Sequence, residues 1–185
     1  MDFVDLIVAV HEHLDAAELA HAFGGALALG YIAEPRGTVD IDVNVFVPLE
    51  ELDRIALALK PLGYRPPDQL GGAPVAGVRF VHRREPFPLD VFPSLNQRYE
   101  MVEARVERHP FGRHRNVLPF LSAEDLCVFK LSFDRPQDWV DLRNIVAARP
   151  ELDLVYIEQQ LIALRGQTMY PRIARLRGFA AEHRP

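Results

Sequence analysis

Two aspartates, Asp40 and Asp42, are the residues of this sequence that most clearly suggest chemistry. They interrupt an apolar run at 39–47, whose β-branched residues predict a strand. Residues i and i+2 of a strand point to the same face, so we expect the two carboxylates side by side. Adjacent carboxylates repel each other, and a divalent cation such as Mg²⁺, which prefers oxygen ligands, relieves that repulsion. An exposed edge face of the strand is the alternative explanation.

A third aspartate, Asp90, lies in a second apolar segment, which we predict to be a strand at 88–92. If the two strands are neighbours, Asp90 completes a cluster of three carboxylates. Such a cluster can hold two metal ions about 4 Å apart, which clamp the attacking and leaving oxygens of a phosphoryl displacement. A surface position next to a turn is the alternative for Asp90.

The glycine pair Gly24-Gly25 follows a predicted strand near 20–23 and precedes a predicted helix that ends at about residue 33. Glycine lets the backbone approach a ligand closely, and the free N–H groups of a helix start favour phosphate. A tight turn would explain the same pair equally well.

A late helical segment carries a further set of charged residues. Lys130 can meet a phosphate as a point charge, and Asp138 and Asp141 are neighbours on one helix face. Local salt bridges with Arg135 and Arg143 are the alternative explanation for the two aspartates.

The remaining elements are predicted from hydrophobic spacing and from Pro and Gly breakers. Further strands are expected at 75–82 and 99–108, with a loop at 66–74. Helices are expected at 2–15, 48–62, 122–133, 136–148, 151–165 and 170–182. The pattern indicates an α/β front followed by a helical back.

Composition restricts the class of protein. The chain has 185 residues, 49% of them apolar, which suits one domain or a core with an appendage. Its net charge of −5 argues against a general nucleic-acid binder. One cysteine, Cys127, excludes an internal disulfide. No apolar run reaches the ~18 residues of a membrane span, and no basic signal-peptide start is present. We expect a cytoplasmic protein without a membrane partner.

The motifs together resemble those of the nucleotidyltransferase superfamily, and most of all its abortive-infection toxin branch of the AbiEii and MenA type. The resemblance rests on three stretches, namely Gly24-Gly25-Ala26-Leu27-Ala28, Arg36-x-Thr38-x-Asp40-Ile41-Asp42, and Lys130 followed by Arg135-x-x-Asp138-x-x-Asp141-Leu142. It implies an α+β nucleotidyltransferase fold, in which helices flank a small mixed β-sheet. It also implies a core at 1–118 and a C-terminal helical bundle at 119–185 that closes over the cleft.

The resemblance also implies roles for individual residues. Asp40, Asp42 and Asp90 would be the catalytic and metal-binding carboxylates, holding two Mg²⁺ ions or alternatively Mn²⁺. Gly24 and Gly25 would hold the nucleoside triphosphate. The other nucleotide contacts that the resemblance implies would come from Arg36, Thr38, Lys130 and Asp138.

The implied reaction moves a nucleoside monophosphate from a triphosphate such as ATP to an acceptor hydroxyl, on an RNA end such as that of tRNA or on a protein. A toxin of this kind would have an antitoxin as its partner. The alternative is a catalytically weak nucleotide-binding or regulatory module, since many superfamily members carry serine at the position of Gly25 and the chain is short for the toxin branch. A third hypothesis is a site that a partner chain completes.

Overall fold

The computed structural model of the protein describes residues 1–68 and 77–183. The chain divides into two compact units, the first formed by Met1–Leu27 and Gly37–Leu121, the second by Ala28–Arg36 and Ser122–Pro185. The fold class is α+β, as the sequence predicts, with a mixed sheet and flanking helices. Within the described ranges, no helix combines the length and the apolar character that crossing a membrane would require.

The first unit contains the sheet. Its described strands are β1 (His21–Phe23), β2 (Ile41–Pro48), β3 (Tyr64–Arg65), β4 (Val78–His82), β5 (Leu89–Ser94), β6 (Glu107–Phe111) and β7 (Asn116–Phe120). They pair in the order β3-β4-β5-β2-β1-β7-β6. The sheet is mixed because β2 runs parallel to β5 and β1 parallel to β7, whereas the other neighbours are antiparallel.

Short helices accompany the sheet in the first unit. They are α1 (Phe3–Ala16), the start of α2 (Gly25–Ile32), α3 (Leu52–Leu59) and α4 (Tyr99–Ala104). Asp2 caps α1 by accepting a hydrogen bond from the Asp5 N–H, at 2.8 Å. The buried face of α1 consists of residues at helical spacing, namely Leu6, Ile7, Val10 and Leu14. The helix α1 packs against α3 and β7.

Helices make up most of the second unit: α5 (Ala123–Phe133), α6 (Pro136–Ala148), α7 (Leu154–Arg165) and α8 (Tyr170–His183), with α5 packed against α6 and α7, and α6 against α8. The local signals that predicted these helices are confirmed. The Ser122 hydroxyl accepts from the Asp125 N–H at the start of α5, and Pro136 occupies the first turn of α6.

One predicted strand is wrong over most of its length, and two strands, β3 (Tyr64–Arg65) and β7, were not predicted. The segment 99–108 was expected to be extended, but it forms α4 before β6 begins at Glu107. Tyr99 and Val102, three residues apart, are buried while Met101 is exposed, so the spacing is helical rather than alternating. The two-residue strand β3 and the strand β7 were both missed. Residues 69–74 of the predicted loop, and the first two residues of the strand predicted at 75–82, lie outside the described residues.

Candidate functional site

Strand pairing brings the predicted acidic residues together. In the parallel pair β2–β5, Asp42 is the register partner of Asp90. Register partners on neighbouring strands point to the same face of a sheet, and Asp40 lies two residues before Asp42, which places it on that face as well. We call Asp40, Asp42 and Asp90 the carboxylate row. Their closeness in space agrees with the sequence analysis, and their roles stay predictions.

An arginine that the sequence analysis did not single out joins this row. Arg79 of β4 is the antiparallel register partner of Asp90. Its Nε and Nη2 donate to the two carboxylate oxygens of Asp90 at 2.8 and 2.7 Å, and Nη2 lies 3.4 Å from Asp40 Oδ1. The hydrogen bond with Asp90 and the nearby negative charges raise the pKa of Arg79, which outweighs the opposing effect of burial. The guanidinium therefore holds the row together as a fixed positive charge.

The glycine pair lies directly against Asp42. The Gly24 N–H donates to the Asp42 carbonyl oxygen at 2.9 Å. Gly25 has a φ of +52°, and a Cβ atom added there would lie 1.8 Å from Asp42 Oδ2. The close approach and the left-handed backbone both require glycine at this position. The carboxylate of Asp42 consequently lies at the start of α2.

Asn44 is a candidate residue that the sequence analysis missed. It follows Asp42 by two residues in β2, so it continues the same face of the strand. It is only 3% exposed, and its Oδ1 has no hydrogen-bond partner among the described residues. Buried polar atoms are normally hydrogen-bonded, and a buried oxygen that lacks a protein partner can accept a bond from a bound ligand or a water. The alternation Asp40-x-Asp42-x-Asn44 was the signal that could have indicated it.

The chemistry of these donors fits a hard divalent cation. Three carboxylates and an amide oxygen on one face are the ligand class that Mg²⁺ and Mn²⁺ take. The missing side chain at Gly25 lets the Asp42 carboxylate lie against the backbone there. As they stand, however, the described residues contain no group of three or more His, Cys, Asp or Glu side chains arranged to hold a metal. The arrangement centres instead on the guanidinium of Arg79.

Thr38 fixes the chain just before β2. Its hydroxyl donates to the Asp40 carbonyl oxygen at 3.1 Å and accepts from the Asp40 N–H at 3.2 Å. This local turn is typical of threonine next to a strand. In the structure Thr38 thus positions Asp40, and its predicted contact with a nucleotide stays a prediction.

The second unit contains a buried ion network. Arg36 donates to both carboxylate oxygens of Asp141 at 3.0 Å, and Lys130 Nζ lies 2.5 Å from Asp141 and 3.6 Å from Asp138. Gln137 adds a hydrogen bond to Asp141 at 3.0 Å. Burial works to raise the pKa of Asp141, but these hydrogen bonds outweigh it and the pKa is lowered. The network therefore keeps Asp141 ionised inside the unit.

Three of the predicted nucleotide contacts, Arg36, Lys130 and Asp138, belong to this network. Lys130 is 3% exposed, so its ammonium is committed to the two aspartates in this conformation. Of the local salt bridges that were the alternative explanation, the one between Asp138 and Arg135 is present at 2.8 Å, whereas Arg143 pairs with Glu182. The contacts of the three residues with a nucleotide stay predictions.

Three other residues that attract attention in the sequence have structural explanations. Nδ1 of His11 lies 2.9 Å from Nε2 of His21. Cys127 is buried, and burial raises the pKa of its thiol. Trp139 is buried with the guanidinium of Arg175 3.9 Å from its ring centre.

Comparison with known proteins gives matches in structure and not in sequence. No protein-family model matches the chain, and no curated protein sequence matches it. The crystal structure of ANT(2'')-Ia in complex with adenylyl-2''-tobramycin is similar with a TM-score of 0.60 at 20% identity, covering 89% of this chain and 98% of that one.

Two further structures show the same similarity. The lincomycin-bound lincosamide antibiotic adenylyltransferase LnuA has a TM-score of 0.54 at 13% identity, with 76% of this chain and 94% of that one covered. An antigenic nucleotidyltransferase-like protein from Paracoccidioides brasiliensis has a TM-score of 0.53 at 16% identity, with 92% and 88% covered. At these identities the likeness shows the fold, which is the nucleotidyltransferase fold that the sequence predicts.

Proposed function

We propose that this protein is a metal-dependent nucleotidyltransferase that moves a nucleoside monophosphate from a triphosphate such as ATP to an acceptor hydroxyl. The observation that carries the proposal is the register pairing of Asp42 with Asp90 beside the glycine at position 25. It supports a cation and phosphate site, because carboxylate oxygens and a closely approachable backbone then lie together. The nucleotidyltransferase fold gives the same chemistry independent support.

In the proposed reaction, the acceptor oxygen forms a bond to the α-phosphorus. The bond from that phosphorus to the oxygen bridging to the β-phosphate breaks, and pyrophosphate leaves. The carboxylate of Asp90 takes the proton of the acceptor hydroxyl. The carboxylate row would hold Mg²⁺ or Mn²⁺, which stabilises charge on the phosphate oxygens when bound. Catalysis then rests on positioning and electrostatics rather than on a covalent intermediate with the protein.

The backbone beside Asp42 has its own role in the proposal. Gly24 and Gly25 let the triphosphate approach the start of α2, where N–H groups favour negative charge. Thr38 keeps Asp40 in place through its two hydrogen bonds.

For the acceptor, the structural neighbours favour a hydroxyl of a small molecule. One neighbour is described in complex with an adenylylated tobramycin and another as a lincosamide adenylyltransferase, and the first is covered over 98% of its length by a chain of this size. An RNA end or a protein hydroxyl remains the prediction from the sequence. The toxin role and an antitoxin partner also remain predictions.

A catalytically weak binding module is the second candidate function. The specific observation in its favour is the guanidinium of Arg79, which occupies both carboxylate oxygens of Asp90. Such a module would bind a triphosphate without transferring any part of it.

The test uses the purified chain, Mg²⁺ or Mn²⁺, and each of the four nucleoside triphosphates labelled at the α-phosphate. Acceptors are panels of aminoglycosides and lincosamides, total RNA and lysate protein. We expect label transfer from at least one triphosphate, loss of transfer with EDTA, and a fall of about a thousandfold or more in Asp42→Asn. The exposed Asp53→Asn variant is the control and should keep full activity. Absence of transfer from all four, with triphosphate binding retained, would support the binding module instead.

A further inference from the structure

We propose that Arg79 is a built-in counter-ion of the carboxylate row, and that a divalent cation must displace its guanidinium from Asp90 before the row can bind metal. The inference rests on the proposed function, since it concerns how the same site takes up its cation. It assigns to Arg79 a positioning role that neither the sequence motifs nor the fold supplies.

The sequence of β4 places Arg79 on the face of the carboxylates. Val78 and Phe80 are buried and Arg79 and Val81 are exposed, which is the alternation of a strand with one face in the core. On this exposed face Arg79 stands opposite Asp90, which itself stands opposite Asp42 on the next strand. Strand register therefore places the Arg79 side chain next to Asp90 on this face of the sheet.

The contacts of Arg79 use the atoms that a metal would need. Both oxygens of Asp90 accept a hydrogen bond from the guanidinium, and the nearer oxygen of Asp40 lies 3.4 Å from the same Nη2. Bidentate pairs of this kind are among the stronger charge-assisted hydrogen bonds. A divalent cation held by the same oxygens would lie beside a positive charge and be repelled by it. Metal binding and the bidentate pair thus exclude each other.

The guanidinium of Arg79 lies close to solvent. The Arg79 side chain is 56% exposed, so the guanidinium can rotate into solvent and break its ion pairs. Its cost is the lost interaction with Asp90, which is moderate because the pair is reached by water. Without metal, the guanidinium of Arg79 balances the negative charge of the carboxylate row. When a divalent cation binds, it replaces the guanidinium in that role.

The test measures Mn²⁺ binding without nucleotide, by the electron paramagnetic resonance signal of free Mn²⁺. Arg79→Gln removes the competing charge, so we expect about tenfold tighter binding than in the natural sequence. Arg79→Lys keeps the positive charge but cannot donate two parallel hydrogen bonds to Asp90. Its affinity for Mn²⁺ should therefore lie between those of Arg79→Gln and the natural sequence. Arg84→Gln, which removes one exposed arginine from the turn after β4, is the matched control and should bind as the natural sequence does.

A second readout separates this role from a merely structural one. Without metal, Arg79→Gln should melt at a lower temperature because its carboxylates repel each other, and saturating Mn²⁺ should raise that melting temperature by more than it does in the natural sequence. A variant that only lost packing would show no larger response to the metal.

Equal or weaker Mn²⁺ binding by Arg79→Gln would overturn the inference, and so would an equal gain in Arg84→Gln, which would show a general effect of net charge. If Arg79→Gln does not fold, Arg79→Lys takes its place: tighter Mn²⁺ binding than in the natural sequence supports the inference, and equal or weaker binding overturns it. These measurements do not depend on catalysis. Tighter metal binding without label transfer would uphold this inference and contradict the proposed function.

Discussion

Gly25 is the residue at which the backbone and the carboxylate row depend on each other most directly. Its left-handed backbone costs an L-residue about 1–2 kcal/mol, and the nearest atom to an added Cβ is a carboxylate oxygen of Asp42 at 1.8 Å. No real Cβ tolerates that distance, so any side chain must push Asp42 away. A substitution at Gly25 should therefore lower the stability of the fold and displace the Asp42 carboxylate at the same time.

We predict that Gly25→Ala lowers the free energy of unfolding by about 2–3 kcal/mol and weakens Mn²⁺ binding at least tenfold. Gly37→Ala is the control, since nothing lies within 4 Å of its added Cβ, and its stability should change by less than about 0.5 kcal/mol. Urea unfolding and Mn²⁺ titration of both variants measure the difference. Near-natural values for Gly25→Ala would contradict the close approach.

The residues of the site differ in how far the sequence predicts them. The strand period alone places Asp40 and Asp42 on one face, and the second apolar segment suggests Asp90. Arg79 could not be found in the same way, because its contact with Asp90 depends on the register of β4 against β5. Register follows from tertiary pairing, which one segment of sequence does not encode.

Among the elements, α1 and β1 are joined by a histidine pair that makes this part of the structure sensitive to acid. Nδ1 of His21 lies 2.8 Å from the Leu19 carbonyl oxygen, which can only accept, so that nitrogen carries the proton. Nε2 of His21 then accepts from His11 Nδ1 at 2.9 Å. Burial lowers the pKa of His21 to about 4, so the ring is neutral in the folded protein.

The pH dependence follows from that shift. The unfolded chain binds a proton at His21 near pH 6.5 and the folded chain only near pH 4, so this contribution to stability is complete above pH 6.5 and is lost as the pH falls through that window. The loss is about 1.4 kcal/mol at pH 5.5 and about 3 kcal/mol by pH 4.

Urea unfolding of the natural sequence, His21→Gln and the exposed His114→Gln from pH 7.5 to 4.5 measures this loss. His21→Gln should have the flatter profile because it lacks the titrating group, and His114→Gln should follow the natural sequence. Identical profiles for all three proteins would show that His21 is protonated without penalty.

Element boundaries were predicted well where a local signal marks them. Gly63 ends the helical segment after α3 in a left-handed conformation, and Ser122 and Pro136 begin helices as expected. The hairpin β6–β7 was obscured because proline argues against a strand, and Pro110 and Pro119 lie in its two strands. Both prolines are tolerated because few strand hydrogen bonds are needed there. The strand β6 lies at the edge of the sheet, and β7 pairs with β1 only at Phe120.

The three sequence motifs contribute residues to both compact units of the molecule. The carboxylate row, the glycine pair and Thr38 are in the first unit, and the network of Arg36, Lys130 and Asp141 is in the second. The motif order could be read from the sequence. The ion pair between residues 36 and 141 could not, because it joins positions that only the folded chain brings together.

The buried network gives a prediction for the stability of the molecule. Lys130→Met leaves Asp138 and Asp141 without their ammonium partner, and removing one member of a buried ion pair costs about 3–5 kcal/mol. The other lysine of the chain, Lys60, is exposed, and Lys60→Met should change stability by less than about 0.5 kcal/mol. A loss below about 1 kcal/mol for Lys130→Met in urea unfolding would show that the network contributes little.

A crystal structure with Mn²⁺ and an ATP analogue that carries a methylene group between its α- and β-phosphates would test the proposed metal and phosphate site directly. We expect anomalous density for Mn²⁺ within bonding distance of Asp42 and Asp90, phosphates against Gly24 and Gly25, and Arg79 turned away from Asp90. Mn²⁺ bound elsewhere, or phosphates on another face while Arg79 still pairs with Asp90, would contradict it.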